Sequence, residues 1–235
     1  AVTDMNHMFA HCALLTKLDL SEFETGAVKN MECMFWGCQS LTPLDVTNFN
    51  TSSVTNMSGM FAYCKSLTSL DVSSFGTSNV TTMDTMFAAC SHLSVVDVSS
   101  FNTKNVTNME AMFGGVLGVA SGLTTIIGLD KFDTRNVTYM DSLFAYSPYL
   151  VSVDVSNFDT AKVTSMRNMF SWCNNLITIY ASNKFITEYA STSSYMFSGC
   201  TKLVGGSGTI YDENHTDKTY ARIDTATMPG YFTSK

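Results

Sequence analysis

Four histidines, His7, His11, His92 and His215, and seven cysteines are the side chains through which this chain could do nucleophilic or metal chemistry. His7 and His11 stand four residues apart. Cys33 holds in the next repeat the position that His7 holds in its own, so the three could meet as zinc ligands. No fourth ligand accompanies them, and we read the match as coincidence. The histidines form neither a metalloprotease helix signature nor triad spacing. Gly205-Gly206-Ser207-Gly208 precedes no helix signal, so it is no phosphate loop. The carboxylates carry more information. Asp19, Asp45, Asp71, Asp97 and Asp154 recur between inward-facing strand residues and so point outward. Strands about 4.8 Å apart would bring these groups into a row, which repels itself unless hydrogen-bonded, neutralised or bridged by a cation. Two readings follow: hydrogen bonds from Ser73, Ser99 and turn amides, or a row that binds Ca²⁺. Because every coil repeats it, we take the row as scaffold. Acid–base catalysis needs two carboxyls in unlike environments, and these are alike. We expect no catalytic residue, no resident cofactor beyond the candidate Ca²⁺, and no enzyme.

Cys12, Cys38, Cys64, Cys90, Cys173 and Cys200 each fall three residues after a marker phenylalanine, and Cys33 stands outside that column. A column in core register reads as reduced packing, free cysteine being among the most buried residue types. Thr25, Thr51, Thr77, Thr103, Thr134, Thr160 and Thr187 form another row, in a turn where hydroxyls bond nearby backbone.

These rows exist because the chain repeats itself. Phe9, Phe35, Phe61, Phe87, Phe113, Phe144, Phe170 and Phe197 follow one another at steps of 26 residues, except for 31 before Phe144 and 27 before Phe197. Within a unit, Val54, Met57, Met60, Phe61 and Cys64 recur at three- and four-residue steps, which predicts one face of a short helix. Thr81 with Asp84, Thr107 with Glu110 and Thr138 with Asp141 have capping-box spacing. Leu67, Leu70 and Val72 then follow a leucine-rich strand pattern, and Phe75 closes the turn. Stacked coils of this kind make a right-handed α/β solenoid, with one parallel sheet and short helices on the opposite side. About nine apolar side chains per coil, at about 1.5–3 kcal/mol each, supply the driving force. Ordering 26 residues costs a similar amount, so no coil stands alone. We place the solenoid at 1–203 and a polar C-terminal cap at 204–235. The five extra residues in Gly114–Gly122 read as a glycine-rich bulge on one edge.

Hydrophobic residues make up 45% of the chain and charged ones 14%, which excludes disorder. The net charge is −7 with no basic cluster, which removes nucleic acid and anionic lipid from the expected partners. No apolar run approaches a membrane span. The chain opens inside a repeat, and we expect it to be a fragment of a longer precursor.

The phrase Leu-Asp-Val-Ser-x-Phe-x-Thr-x-x-Val-Thr-x-Met-x-x-Met-Phe-x-x-Cys, nearly intact in residues 44–64, 70–90 and 96–112, resembles the BspA family of bacterial leucine-rich-repeat surface proteins. The tail, through Gly205–Thr209, Thr219–Asp224 and Pro229–Thr233, is similar to a segment that closes such arrays. Val116 and Ser147 stand where cysteine is expected, Ser193 where methionine is, and Tyr180 where aspartate is. The resemblance implies an extracellular bacterial-surface protein that adheres to host matrix proteins, glycans or other bacteria, and it supplies no catalytic residues. A structural spacer is the alternative. The candidate contact residues are the Asp row together with Trp36, Tyr63, Tyr146 and Trp172, with Tyr149 a further non-register aromatic.

Overall fold

A computed structural model describes residues 1–235. The coils stack as expected, but the segment expected to be helical is not a helix. Two three-residue 3-10 turns, Leu129–Lys131 and Lys218–Tyr220, are the only helical elements. The Met-x-x-Met-Phe-x-x-Cys stretch is instead a run of tandem β-turns. In the third coil Met60 N–H donates to Met57 O, Ala62 N–H to Gly59 O and Cys64 N–H to Phe61 O, all three residues back. The alternate amides leave the coil: Met57 N–H donates to Thr82 O, Gly59 N–H to Asp84 O, Phe61 N–H to Met86 O and Tyr63 N–H to Ala88 O.

The backbone can alternate in this way because every fourth residue is left-handed. Gly59 and Tyr63 in this coil, Cys33 and Gly37 in the one before, and Thr85 and Ala89 in the one after all have positive φ. Twelve non-glycine residues take this conformation, each at a cost of about 1–2 kcal/mol. An α-helix would avoid that cost. It would also commit every amide to its own coil four residues back, leaving none to bond the next coil. The array therefore keeps a helix-like apolar spacing without a helix.

The expected single sheet is also broken up. β1 (Val95–Asp97) pairs in parallel with β2 (Thr125–Ile127). β3 (Ser152–Asp154), β4 (Thr178–Ala181) and β5 (Phe232–Ser234) form a second parallel sheet. The ladder that runs the whole length lies beside the turn ribbon, where Asp4, Asn30, Asn56, Thr82, Asn108, Tyr139, Ser165 and Thr192 make successive parallel bridges. Most of the chain is turn and irregular backbone, held in place by its neighbours.

Sixty buried residues form one continuous core. The marker phenylalanines stack from Phe9 to Phe197, with centroids 5.5–6.0 Å apart. At the last coil the geometry changes, and Tyr231 and Phe232 meet Phe197 edge-on at 78° and 72°. Aromatic pairs favour either geometry over a face-to-face sandwich. The tail also brings the Lys218 ammonium to the backbone carbonyls of Thr187 and Ala190.

Candidate functional site

Asp19, Asp45, Asp71 and Asp97 each accept a hydrogen bond from the amide two residues on, at Ser21, Thr47, Ser73 and Ser99, at 2.9–3.0 Å. These bonds from neighbouring backbone and hydroxyl groups hold their carboxyls below the ordinary value. The row is not continuous: Ile127 stands at its fifth position, opposite Asp97, and Tyr180 at its seventh, opposite Asp154. Burial pushes the Asp154 carboxyl up, but the Lys235 ammonium and Ser156 outweigh it and the net shift is downward. Nowhere do three His, Cys, Asp or Glu side chains converge as a metal ion requires. His7, His11 and Cys33 are no exception.

The buried threonines are scaffold of a kind the sequence did not specify. Thr77 Oγ1 donates to Asn102 O at 3.2 Å and accepts from Asn102 N–H at 2.7 Å, so one hydroxyl satisfies both backbone groups of a residue in the next coil. Thr25, Thr103, Thr134 and Thr160 repeat this pairing. The cysteines work in the opposite direction. Cys38, Cys64, Cys90, Cys173 and Cys200 donate Sγ–H to a phenylalanine carbonyl of the preceding coil at 3.0–3.2 Å. Ser147, in a cysteine position, makes the same contact to Phe113 O at 3.4 Å. All seven thiols are free. The capping boxes dissolve along with the helix: Asp84 accepts from the hydroxyls of Thr82 and Ser58, while the Thr81 hydroxyl donates to Thr55 O.

The candidate aromatics form two pairs. Trp36 and Tyr63 lie 5.1 Å apart and are half-buried. Tyr146 and Trp172 stack at 6.3 Å and 13°, with Trp172 49% exposed. Each tryptophan lies over a glycine of the following coil that has no room for a Cβ, 2.7 Å from Trp36 at Gly59 and 2.9 Å from Trp172 at Gly199. Between the pairs, the insertion forms a tight turn with reciprocal Val116–Val119 hydrogen bonds and a fully presented Leu117. Gly115 and Gly122 are fixed by close approach, because added carbons would meet Ser121 N at 2.6 Å and Ser91 O at 2.5 Å.

Sequence reasoning missed two features. Val95, Ile127, Val151 and Ile177 are exposed in the middle coils, on the strand side where the sequence pointed only to the Asp row. Ile127 departs from the Asp column, and that was a usable signal. Between β2 and β3, which do not pair, a cavity of about 140 Å³ has Ile126, Leu129, Leu150 and Val153 in its walls and Asp130, Asp154 and Lys235 at its rim.

The sequence matches the family described as "Mycoplasma protein of unknown function, DUF285" over residues 1–45, 37–121 and 119–226. The chain belongs to the DUF285 family. No curated protein and no solved structure matches it. The three DUF285 segments together run from the first coil into the tail, so the repeat and the tail are covered by one family rather than two.

Proposed function

We propose that this DUF285 chain is a bacterial cell-surface binding module, and that its ligand is a protein or glycan lying across several coils. The resemblance of the repeat to the BspA surface proteins supports the location and the adhesive role. One structural observation supports the binding reading above others: Trp172 is a large, half-exposed ring immobilised between Tyr146 and Gly199. A rigid aromatic loses little conformational freedom on contact, which is what makes such residues interface anchors. Residues 204–235 serve in this reading as the terminal cover of the array. A structural spacer is the second reading. It is favoured by the hydrogen bonds that tie the repeating Asp, Thr and Cys side chains to the backbone of their own or neighbouring coils.

Binding of the folded chain to immobilised matrix proteins and glycans, with and without chelator, separates the two. Saturable binding to one ligand, reduced at least tenfold by Trp172→Ala, is the expected result. A folded chain that binds nothing leaves the spacer. Loss with chelator would move the Asp row from scaffold to cation site.

A further inference from the structure

The turn ribbon has a polarity that comes to an end at the eighth coil. In each earlier coil, alternate amides donate to carbonyls of the next. Met166 N–H reaches Thr192 O at 2.9 Å, and Asn168 N–H reaches Ser194 O at 3.1 Å. The equivalent amides of the last coil belong to Ser193, Tyr195, Phe197 and Gly199. The tail takes two of them, Phe197 N–H at Thr216 O (2.9 Å) and Gly199 N–H at the Tyr211 hydroxyl (3.2 Å). Ser193 and Tyr195 N–H donate to no group of the protein. The last coil and the tail diverge here around a cleft of about 500 Å³, lined by Ser193, Ser194, Tyr195, Asn214, Thr216 and Asp217 among others. Ser193 stands where earlier coils carry a buried methionine.

We propose that this cleft binds an extended peptide segment whose alternate carbonyls accept hydrogen bonds from the Ser193 and Tyr195 amides. The inference deepens the surface-binding reading above and rests on it for the kind of ligand, a macromolecule. Ligand chemistry follows from the continuity of the ladder. Two donors two residues apart match the alternate carbonyls of an extended chain, about 6.6 Å apart at about 3.3 Å per residue. A partner edge that presents acceptors completes the parallel pairing that seven coil junctions already make, by strand addition. The lining is hydroxyl, amide and carboxylate, so small polar side chains fit it. Asp217 favours a basic residue. A neutral sugar could use the hydroxyls, but nothing in a pyranose fixes two acceptors in ladder register.

The test uses a fluorescein-labelled synthetic peptide of residues 104–113. In the array this segment supplies such acceptors, Asn108 O to Met83 N–H and Glu110 O to Thr85 N–H. Titrated into the whole chain, it should bind saturably and slow hydrogen exchange of the Ser193 and Tyr195 amides at least tenfold. Ser193→Pro, which removes an amide hydrogen that no group of the protein uses, should melt close to the parent and weaken the peptide at least tenfold. A folded parent that does not bind the peptide overturns the proposal. So does unchanged affinity in Ser193→Pro, or protection of the two amides by neutral oligosaccharides in place of the peptide. The matrix and glycan panel reads Trp172→Ala, a side chain that does not line the cleft, so either reading can fail while the other stands.

Discussion

The threonine column offers the sharpest test of how the coils are held together. Thr77 is buried, and its hydroxyl both donates to and accepts from the backbone of Asn102 in the next coil. Valine has the same shape and no hydroxyl. Thr77→Val removes two hydrogen bonds worth about 1 kcal/mol each net. It regains about 0.8 kcal/mol from the buried methyl. The expected loss is therefore about 1–2 kcal/mol, or roughly 2–8 °C in melting temperature for a chain of this length. Thr77→Ser keeps both bonds and loses one methyl, a similar cost of about 1 kcal/mol by a different route. Melting alone does not separate the two, but hydrogen exchange does. The Asn102 amide should lose protection in Thr77→Val and keep it in Thr77→Ser. Thr187, the seventh member of the row, is only half-buried and its hydroxyl has no such pairing, so Thr187→Val should move stability by less than about 0.5 kcal/mol. A Thr77→Val chain that melts with the parent and keeps its Asn102 amide protected would refute the reciprocal bond as a stabilising element.

Thiol labelling should find Cys12 reactive in the native chain and the five buried column thiols silent until denaturant is added, as measured by mass spectrometry. Burial pushes Cys90 and Cys173 up to about 12, so the stability they contribute is complete below pH 9.0 and is lost as pH rises from there; alkaline denaturation should begin above pH 9.0. In the tail, burial pushes Asp224 up, but bonds from the Thr209 hydroxyl and the Thr209, Ser207 and Gly230 amides outweigh it and its carboxyl sits below the ordinary 3.8. Its contribution is therefore present above pH 3.8 and lost as pH falls below. Asp224→Ala, which leaves these amides without their acceptor, should cost about 2 kcal/mol or more, with the tail amides exchanging first. Gly122→Ala, which would drive a carbon to 2.5 Å from Ser91 O, should destabilise by more than Gly118→Ala, where strain at φ 84° is the only penalty and about 1 kcal/mol is expected in denaturant titrations.

By itself the sequence determined the period, the stacking of coils and the membership of the core. Phe61, Met57, Met60 and Cys64 recur in apolar register, and burial depends on register rather than on backbone type. The outward Asp row and the packed cysteine column were legible for the same reason, except at Cys12, which the first coil leaves exposed. What only the tertiary structure decided is how the backbone meets that register. Spacings of three and four residues are shared by a helix and by tandem left-handed turns, and residues such as Tyr63, Thr85 and Trp172 give no local sign of positive φ. The choice lies in where the amides go, because only the turn ribbon leaves alternate donors for the next coil. The same non-local pairing sets the partner of Thr77, the carbonyl met by Cys64, and the two donors at Ser193 and Tyr195 that no eighth junction takes up.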